Sequence, residues 1–474
     1  MSNKAITNGQ VTDEAVSDFA TSLRGEVVSQ ADDSYDEARS VWNGLVDAYP
    51  TLIVRCRGSA DVAKGVEFAT THDLPFSVRG GAHNQTGSSM VEEGIVLDLA
   101  GIDHVRVNPE EQVAQVGAGC RARDALIETQ HYGLAMPTGS AGDVGIPGST
   151  LGGAIGWMRR KHGLGIDALQ SVDVVTPNGE LVTASESENE DLFWAVRGGG
   201  GNFGVVTNFE FELYEVPPIV AGLGIFYPGD DATEVFENYR KVTADAPDEV
   251  TTIALNSHVP DLPPMPEELV GKDAVAVLGC YIGDDPEEGM EALQPFRELA
   301  DESLLDMSEP MPYLMLHQLG TMMFPEGRNY CHRSCFVDDL SDDLIDAILD
   351  HTEAAESNLS GVGVWQMGGA ISDVDSDATA YPHRDAEYMI TVEANWDDGD
   401  DDANIEWTRE GDDLLRSLGG YGAYGGFTGV VARESENVPE RVYGENLERL
   451  ADIKARYDAS NDLDKNVNVA PADD

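Results

Sequence analysis

A histidine set among glycines is the first residue in this chain whose type and neighbours suggest chemistry. Residues 79–87 read RGGAHNQTG, and adjacent Gly80 and Gly81, lacking a Cβ, let the backbone turn sharply and approach a ligand closely. His83 projects from that loop, where its imidazole could ligate a metal, move a proton or attack an electrophile. A second run, 136–156 (MPTGSAGDVGIPGSTLGGAIG), holds too many glycines for regular structure, because each adds chain entropy that folding must remove. A ligand wrapped by backbone amides accounts for this composition. Inward N–H groups suit a pyrophosphate, and a helix N-terminus expected near Gly153 would add to the field. A third cluster, 198–204 (GGGGNFG), is alone a weak nucleotide signal. It lacks the strand–GxGxxG–helix opening of nicotinamide-binding domains. Cys331 and Cys335 bracket His332, but without a second ligand pair this spacing points to packing rather than zinc, and no metal is expected.

These loops need elements to hold them. A strand at 52–55 leads into a helix capped at Ser59 with Val62, Val66 and Ala69 on one face, and a strand ending at Arg79 enters the histidine loop. Another strand, 95–99, follows. Strands at 105–107 and 112–116 flank the Asn108-Pro109 turn, and a helix at 122–131 stops at Gly133. Strands at 172–176 and 181–184 and a helix at 190–196 continue the pattern. Residues 1–50 read as a polar N-terminal arm with a helix-forming stretch near 12–23. After Pro217-Pro218 the glycine clusters thin and alternating apolar stretches appear among helices, for example 274–282, 287–299, 340–349 and 389–395. That change implies an antiparallel sheet with helices on one face, so the expected fold class is α+β.

With 474 residues, 41% hydrophobic, the chain is long enough for two or three domains with large cores. Its 29 basic and 87 acidic side chains give a net charge of −58. The acids are spread along the chain, as expected of a halophilic protein whose self-repulsion is screened by concentrated salt. The same balance disfavours nucleic acid and anionic membrane surfaces as partners. No apolar run approaches the roughly twenty residues of a spanning helix, and the first ten residues lack a secretory pattern, so a cytoplasmic location is expected. Five scattered cysteines do not form a disulfide framework.

The loop at Arg79, Gly80, Gly81, Ala82, His83, Asn84 and Gly87 resembles the covalent-flavin loop of the berberine-bridge-enzyme-like branch of the vanillyl-alcohol-oxidase superfamily. The block 189–207, NEDLFWAVRGGGGNFGVVT, is close to that family's signature. The resemblance covers about 51–216 and returns in the last forty or so residues. It implies a PCMH-type FAD-binding domain of two α/β subdomains at 51–216, a substrate domain at 217–425 and a segment at 426–474 that returns to the FAD domain. It further implies that His83 is bonded to FAD. The cysteine that forms a second bond in many relatives aligns with Ala141, so single attachment is expected.

Further FAD contacts implied by the resemblance are Pro137, Gly139, Gly145, Gly148, Gly152, Gly153 and Gly156, then Asp167, Asn202, Phe203, Gly204 and Val205. Ile146 matches a position where a small residue or valine accompanies reaction with dioxygen and isoleucine its suppression, which leaves dioxygen and another acceptor both open. For the base, Tyr424 is the first tyrosine of the family's Tyr-x-Asn-Tyr motif. Glu393, on the strand after Pro382-His383-Arg384, is the second candidate. The implied activity is removal of hydride from an alcohol, sugar or amine carbon of a small-molecule substrate. A dehydrogenase and a flavin-binding protein without turnover are the alternatives.

Overall fold

The structure, a computed structural model, describes residues 11–263, 265–430 and 437–473. Leu52–Arg55, Phe76–Arg79 and Ile95–Asp98 are short, largely apolar runs, the pattern of strands covered on both faces. The first two each pair in parallel with the third. Helix Ser59–Thr71 joins them and buries Val62, Val66 and Ala69. Its cap is Gly58 rather than Ser59. The buried Asp61 carboxylate accepts from the amides of Arg24, Gly25 and Arg57. Residues 13–29 of the segment expected as a polar arm thus belong to this layer. They supply a fourth strand, Glu26–Ser29, antiparallel to Leu52–Arg55, and a helix, Asp13–Ser22, whose Phe19 stacks on Phe68 at 4.2 Å. Four residues of alternation are too few to announce a strand in sequence.

A second sheet of five antiparallel strands runs in the order Val105–Asn108, Val113–Gly117, Val205–Glu212, Leu169–Val175 and Leu181–Ser185. One hydrophobic core spans both sheets.

The remaining large sheet is antiparallel throughout. Its central strands are Ile219–Pro228, Asp273–Tyr281, Val250–His258, Gly361–Gln366, Tyr388–Trp396 and Asn329–Val337, in that spatial order. Strand alternation sorts their side chains onto two faces. Cys331, Cys335, Ile390, Val392, Ala394 and Trp396 pack beneath helices Ala232–Ala244, Asp342–Glu353 and Asp401–Ser417. His332, Met389 and Glu393 look the other way, toward the first domain. Parity therefore separates His332 from the two cysteines beside it.

The seam between the halves has an apolar part, where Ile155, Leu164 and Ile166 cluster with Phe336, Met367 and Met389, and a polar part. From the four-residue helix Arg159–His162, Arg159 donates to the carbonyls of Gln366 and Thr252, Arg160 to those of Val250, Met367 and Ala246, and Lys161 to that of Ile282. The closing helix Leu447–Tyr457 packs back on the first domain, where Lys454 Nζ donates to the Asn202 carbonyl and pairs with Asp458 at 2.6 Å. Among the described residues no helix is long and apolar enough to cross a membrane.

Candidate functional site

The three glycine loops converge on one cavity of about 580 Å³, closed on its far side by the large sheet. That volume lies in the range typical of small-molecule and cofactor sites. The first loop leaves the carboxyl end of the parallel strand Phe76–Arg79, the end at which open α/β sheets place ligands. It contributes Gly80, Gly81, Ala82, His83 and Asn84. Gly139, Gly145, Gly148 and Gly152 come from the second loop, Gly198, Gly200, Gly201 and Gly204 from the third, and Val205 from just after it. A Cβ on Gly81 would stand 2.4 Å from the Gly145 Cα, so these two loops touch backbone to backbone. A Cβ on Gly148 would meet nothing within 4 Å, which leaves its backbone bare to the cavity.

Ala82 sits at φ +56°, and this left-handed turn precedes His83. The imidazole stacks on Trp42 at 4.1 Å, and Trp42 stacks in turn on Tyr330 at 3.8 Å. His83 Nε2 lies 3.5 Å from Asp143 Oδ2 and is buried without a hydrogen bond. Bare glycine backbone and a cavity-lining imidazole at one wall suit a flat, polar-edged cofactor bound edge-on to the loops.

Several other expected contacts bond or pack within the protein. Arg79 donates to the Ala38 carbonyl, and a Cβ on Gly87 would strike Val46 at 2.7 Å. The Pro137 carbonyl lies against Gly165, and Gly156 is pressed on the Thr138 carbonyl, which a Cβ would approach to 1.8 Å. The helix N-terminus expected near Gly153 lies at Gly145, where helix Ile146–Leu151 begins. Gly153 follows that helix at φ +130°, beside the Tyr381 and Tyr424 rings. Ile146 is 1% exposed in the core, while Val144, two residues earlier, lines the cavity. Asp167 makes a bidentate pair with Arg384, both bonds 2.8 Å. Asn202 donates to the carbonyls of Gly199 and Val467, and Phe203 is fully buried beside it.

On the sheet side, both candidate bases line the cavity. Burial pushes the Glu393 carboxyl up to about 7, although Thr391 Oγ1 donates to its Oε1 at 2.6 Å. Trp365 Nε1 donates to that same hydroxyl at 3.2 Å, forming a short relay into the carboxylate. Burial pushes the Tyr424 phenol up to about 12, and the backbone amides of Ala154 and Ile155 lie against its oxygen. Glu393 is thus the group that changes charge near neutral pH.

Sequence reasoning missed His332 as a cavity residue. It is the direct cross-strand partner of Glu393, a relation carried only by strand parity and register. Burial pushes its imidazole down to about 4, so the ring is neutral. Its Nε2 meets Asn395 Oδ1 at 2.8 Å, while Asn395 Nδ2 donates to the Leu359 carbonyl. That arrangement assigns the proton to Nε2 and leaves Nδ1 an acceptor. Gln85 ties this strand to the histidine loop, accepting from the His332 amide and donating to the His332 and Gly426 carbonyls.

Comparison with known proteins agrees with this geometry. Residues 50–185 match the family description "FAD binding domain", and residues 402–469 match "Berberine and berberine like". The chain is 30% identical over 452 residues to the FAD-linked oxidoreductase YgaK of Bacillus subtilis, covering 93% of this chain and 96% of that one. Over 196 residues, 41% of this chain and 43% of the other, it is 39% identical to (R)-6-hydroxynicotine oxidase of Paenarthrobacter nicotinovorans. The crystal structure of 6-hydroxy-D-nicotine oxidase from Arthrobacter nicotinovorans superposes with a TM-score of 0.83 at 26% identity, covering 95% of this chain and 98% of that one. Chitooligosaccharide oxidase shares the fold, with a TM-score of 0.84 at 22% identity and coverage of 97% and 100%.

Proposed function

The chain belongs to the FAD-linked oxidoreductases of the berberine-bridge-enzyme-like family, with a PCMH-type FAD domain beside an antiparallel substrate sheet, and from that premise we propose that it is an oxidase using Glu393 as its base. The observation that carries the proposal is a buried carboxyl held near pKa 7 on the wall that faces the glycine loops. Bound FAD supplies the acceptor for two electrons. The backbones of Gly80–Asn84, Gly139, Gly145, Gly148, Gly152, Gly204 and Val205 would hold it. His83 would attach it by a single bond, since Ala141 stands where a second anchor would be.

Glu393 takes the proton of a substrate hydroxyl or amine while the adjacent carbon loses hydride. Its Oε1 is already bonded to Thr391, so Oε2 is the oxygen left for substrate. His332 Nδ1 accepts a second substrate hydrogen bond and, being neutral, does not compete for the proton. Tyr424, too weak an acid to lose its own proton at neutral pH, orients the substrate with its hydroxyl. Trp365 and Phe427 give the cavity apolar walls that keep water from the reacting carbon. Val144 at the cavity wall, with Ile146 turned into the core, favours dioxygen as acceptor.

An anaerobic bleaching screen in molar potassium chloride with sugars, aromatic alcohols and cyclic amines tests the proposal. One class should bleach the yellow protein, and air should restore the colour rapidly. Slow recolouring in air would assign a dehydrogenase. Glu393→Gln protein that bleaches at the unmodified rate would remove the proposed base.

A further inference from the structure

We propose that Asp143 is the positioning residue for flavin attachment: it keeps the His83 proton on Nε2 and so leaves Nδ1 as the bonding atom. The inference rests on His83 being the covalent anchor. Two restraints fix the imidazole. Trp42 stacks on its face at 4.1 Å with an interplanar angle of 19°, which sets the ring plane. Asp143 Oδ2, 3.5 Å from Nε2, sets which edge faces the carboxylate. Nε2 is fully buried and lacks any other hydrogen-bond partner among the described residues, while the ring itself lines the cavity.

Asp143 is itself held in place. Thr321 Oγ1 donates to its Oδ1 at 2.9 Å and accepts from the Gly142 amide at 3.1 Å, which leaves Oδ2 for the imidazole. Burial raises the Asp143 carboxyl, but the His83 ring and the Thr321 hydroxyl outweigh it and hold the group below the usual carboxylate range. An ionised carboxylate beside Nε2 favours the tautomer with its proton there, and an imidazole with one nitrogen so engaged is the better nucleophile at the other.

Attachment forms a C–N bond from Nδ1 to a ring methyl carbon of the flavin and breaks one C–H bond of that methyl. The hydrogen leaves as a proton to solvent and an electron pair that dioxygen takes, with protons from solvent, as it becomes hydrogen peroxide. His83, now substituted at Nδ1 and still protonated on Nε2, becomes a cation, and Asp143 is its counter-charge.

The test compares unmodified protein with Asp143→Asn, Asp143→Ala and Asp143→Glu for flavin bound under native conditions and flavin retained in an acid-precipitated pellet over time. Native flavin per chain should stay unchanged in all four. Covalent incorporation should slow roughly tenfold or more in Asp143→Asn and Asp143→Ala, the effect expected when the partner orienting an imidazole is lost. Asp143→Glu should recover much of the rate. In Asp143→Asn protein that does become linked, the pH titration of the flavin spectrum due to the substituted imidazole should move to lower pH. Unchanged incorporation and titration in Asp143→Asn would overturn the inference. Equal loss of native and covalent flavin would also overturn it, by assigning Asp143 to the fold. Pellet-bound flavin in His83→Ala protein would instead refute the anchor on which the inference stands.

Discussion

The two walls of the cavity are built by different means. The wall from the first domain is mostly backbone, with loops that meet at Gly81 and Gly145 because neither residue has a side chain to separate them. The wall from the large sheet is made of side chains. Glu393, His332, Trp365 and Met389 reach the cavity because alternate residues of three strands share a face. One wall can hold a cofactor through groups that every residue carries, while the other chooses a substrate through groups that particular residues carry. Substitutions should therefore divide cleanly into those that cost flavin and those that cost turnover.

The largest effect should come from salt, which acts on both walls together. With a net charge of −58, the protein is expected to lose structure in dilute buffer and regain it in molar potassium chloride. Circular dichroism and flavin absorbance followed together would show whether the walls melt as one. A melting temperature independent of salt would remove the halophilic assignment. Next, Gly81→Val drives a side chain into the Gly145 backbone. Flavin per chain should fall by roughly tenfold or more, since backbone cannot yield as a side-chain tip can. Normal flavin content in that variant would break the distinction between the walls.

On the other wall, Glu393→Gln should leave flavin content unchanged and lower kcat/KM by roughly 10²–10⁴-fold. In the unmodified enzyme the rate should rise with pH through about 7 as the base ionises. Stability should move the opposite way. The carboxyl is raised from 4.5 to about 7 by folding, so the folded state holds this proton more tightly than the unfolded chain. The group's contribution is full below about 4.5 and is lost as pH rises to about 7, on the order of 3 kcal/mol. Glu393→Gln should accordingly melt higher than unmodified protein at pH 8. The smallest effect is His332→Ala, expected to raise KM about tenfold, the value of one lost hydrogen bond of ~1.4 kcal/mol, with flavin content intact.

The same division governs what could be read from the sequence. Three glycine runs announce the first wall, and the helix at 190–196 and the strand at 52–55 appear where local pattern put them, because both signals are contiguous. The alphabet does not say which way a glycine faces. Gly148 opens to the cavity while Gly156 is clamped on the Thr138 carbonyl, and both are simply small residues in a run. Nor does the alphabet say that Ile146 turns into the core while Val144, two residues earlier, lines the cavity, as the start of helix Ile146–Leu151 makes them do. On the second wall, His332 required knowing both the parity of Asn329–Val337 and its register against Tyr388–Trp396, neither of which is local. Asp167, read as a cofactor contact, also pairs with Arg384, 217 residues away, a relation no local pattern carries.

The seam at Arg159–His162 carries one further implication, for tolerance of acid. Its three cations donate to six main-chain oxygens of the opposite half, beside longer contacts of Arg160 with Asp248 at 3.4 Å and of Lys161 with Glu249 at 3.8 Å. Main-chain oxygens bear no net charge and gain no protons as the medium acidifies, and those of Val250, Thr252 and Gln366 are fixed in strands of the sheet. The join between the halves is therefore expected to outlast an acidification that would loosen carboxylate bridges.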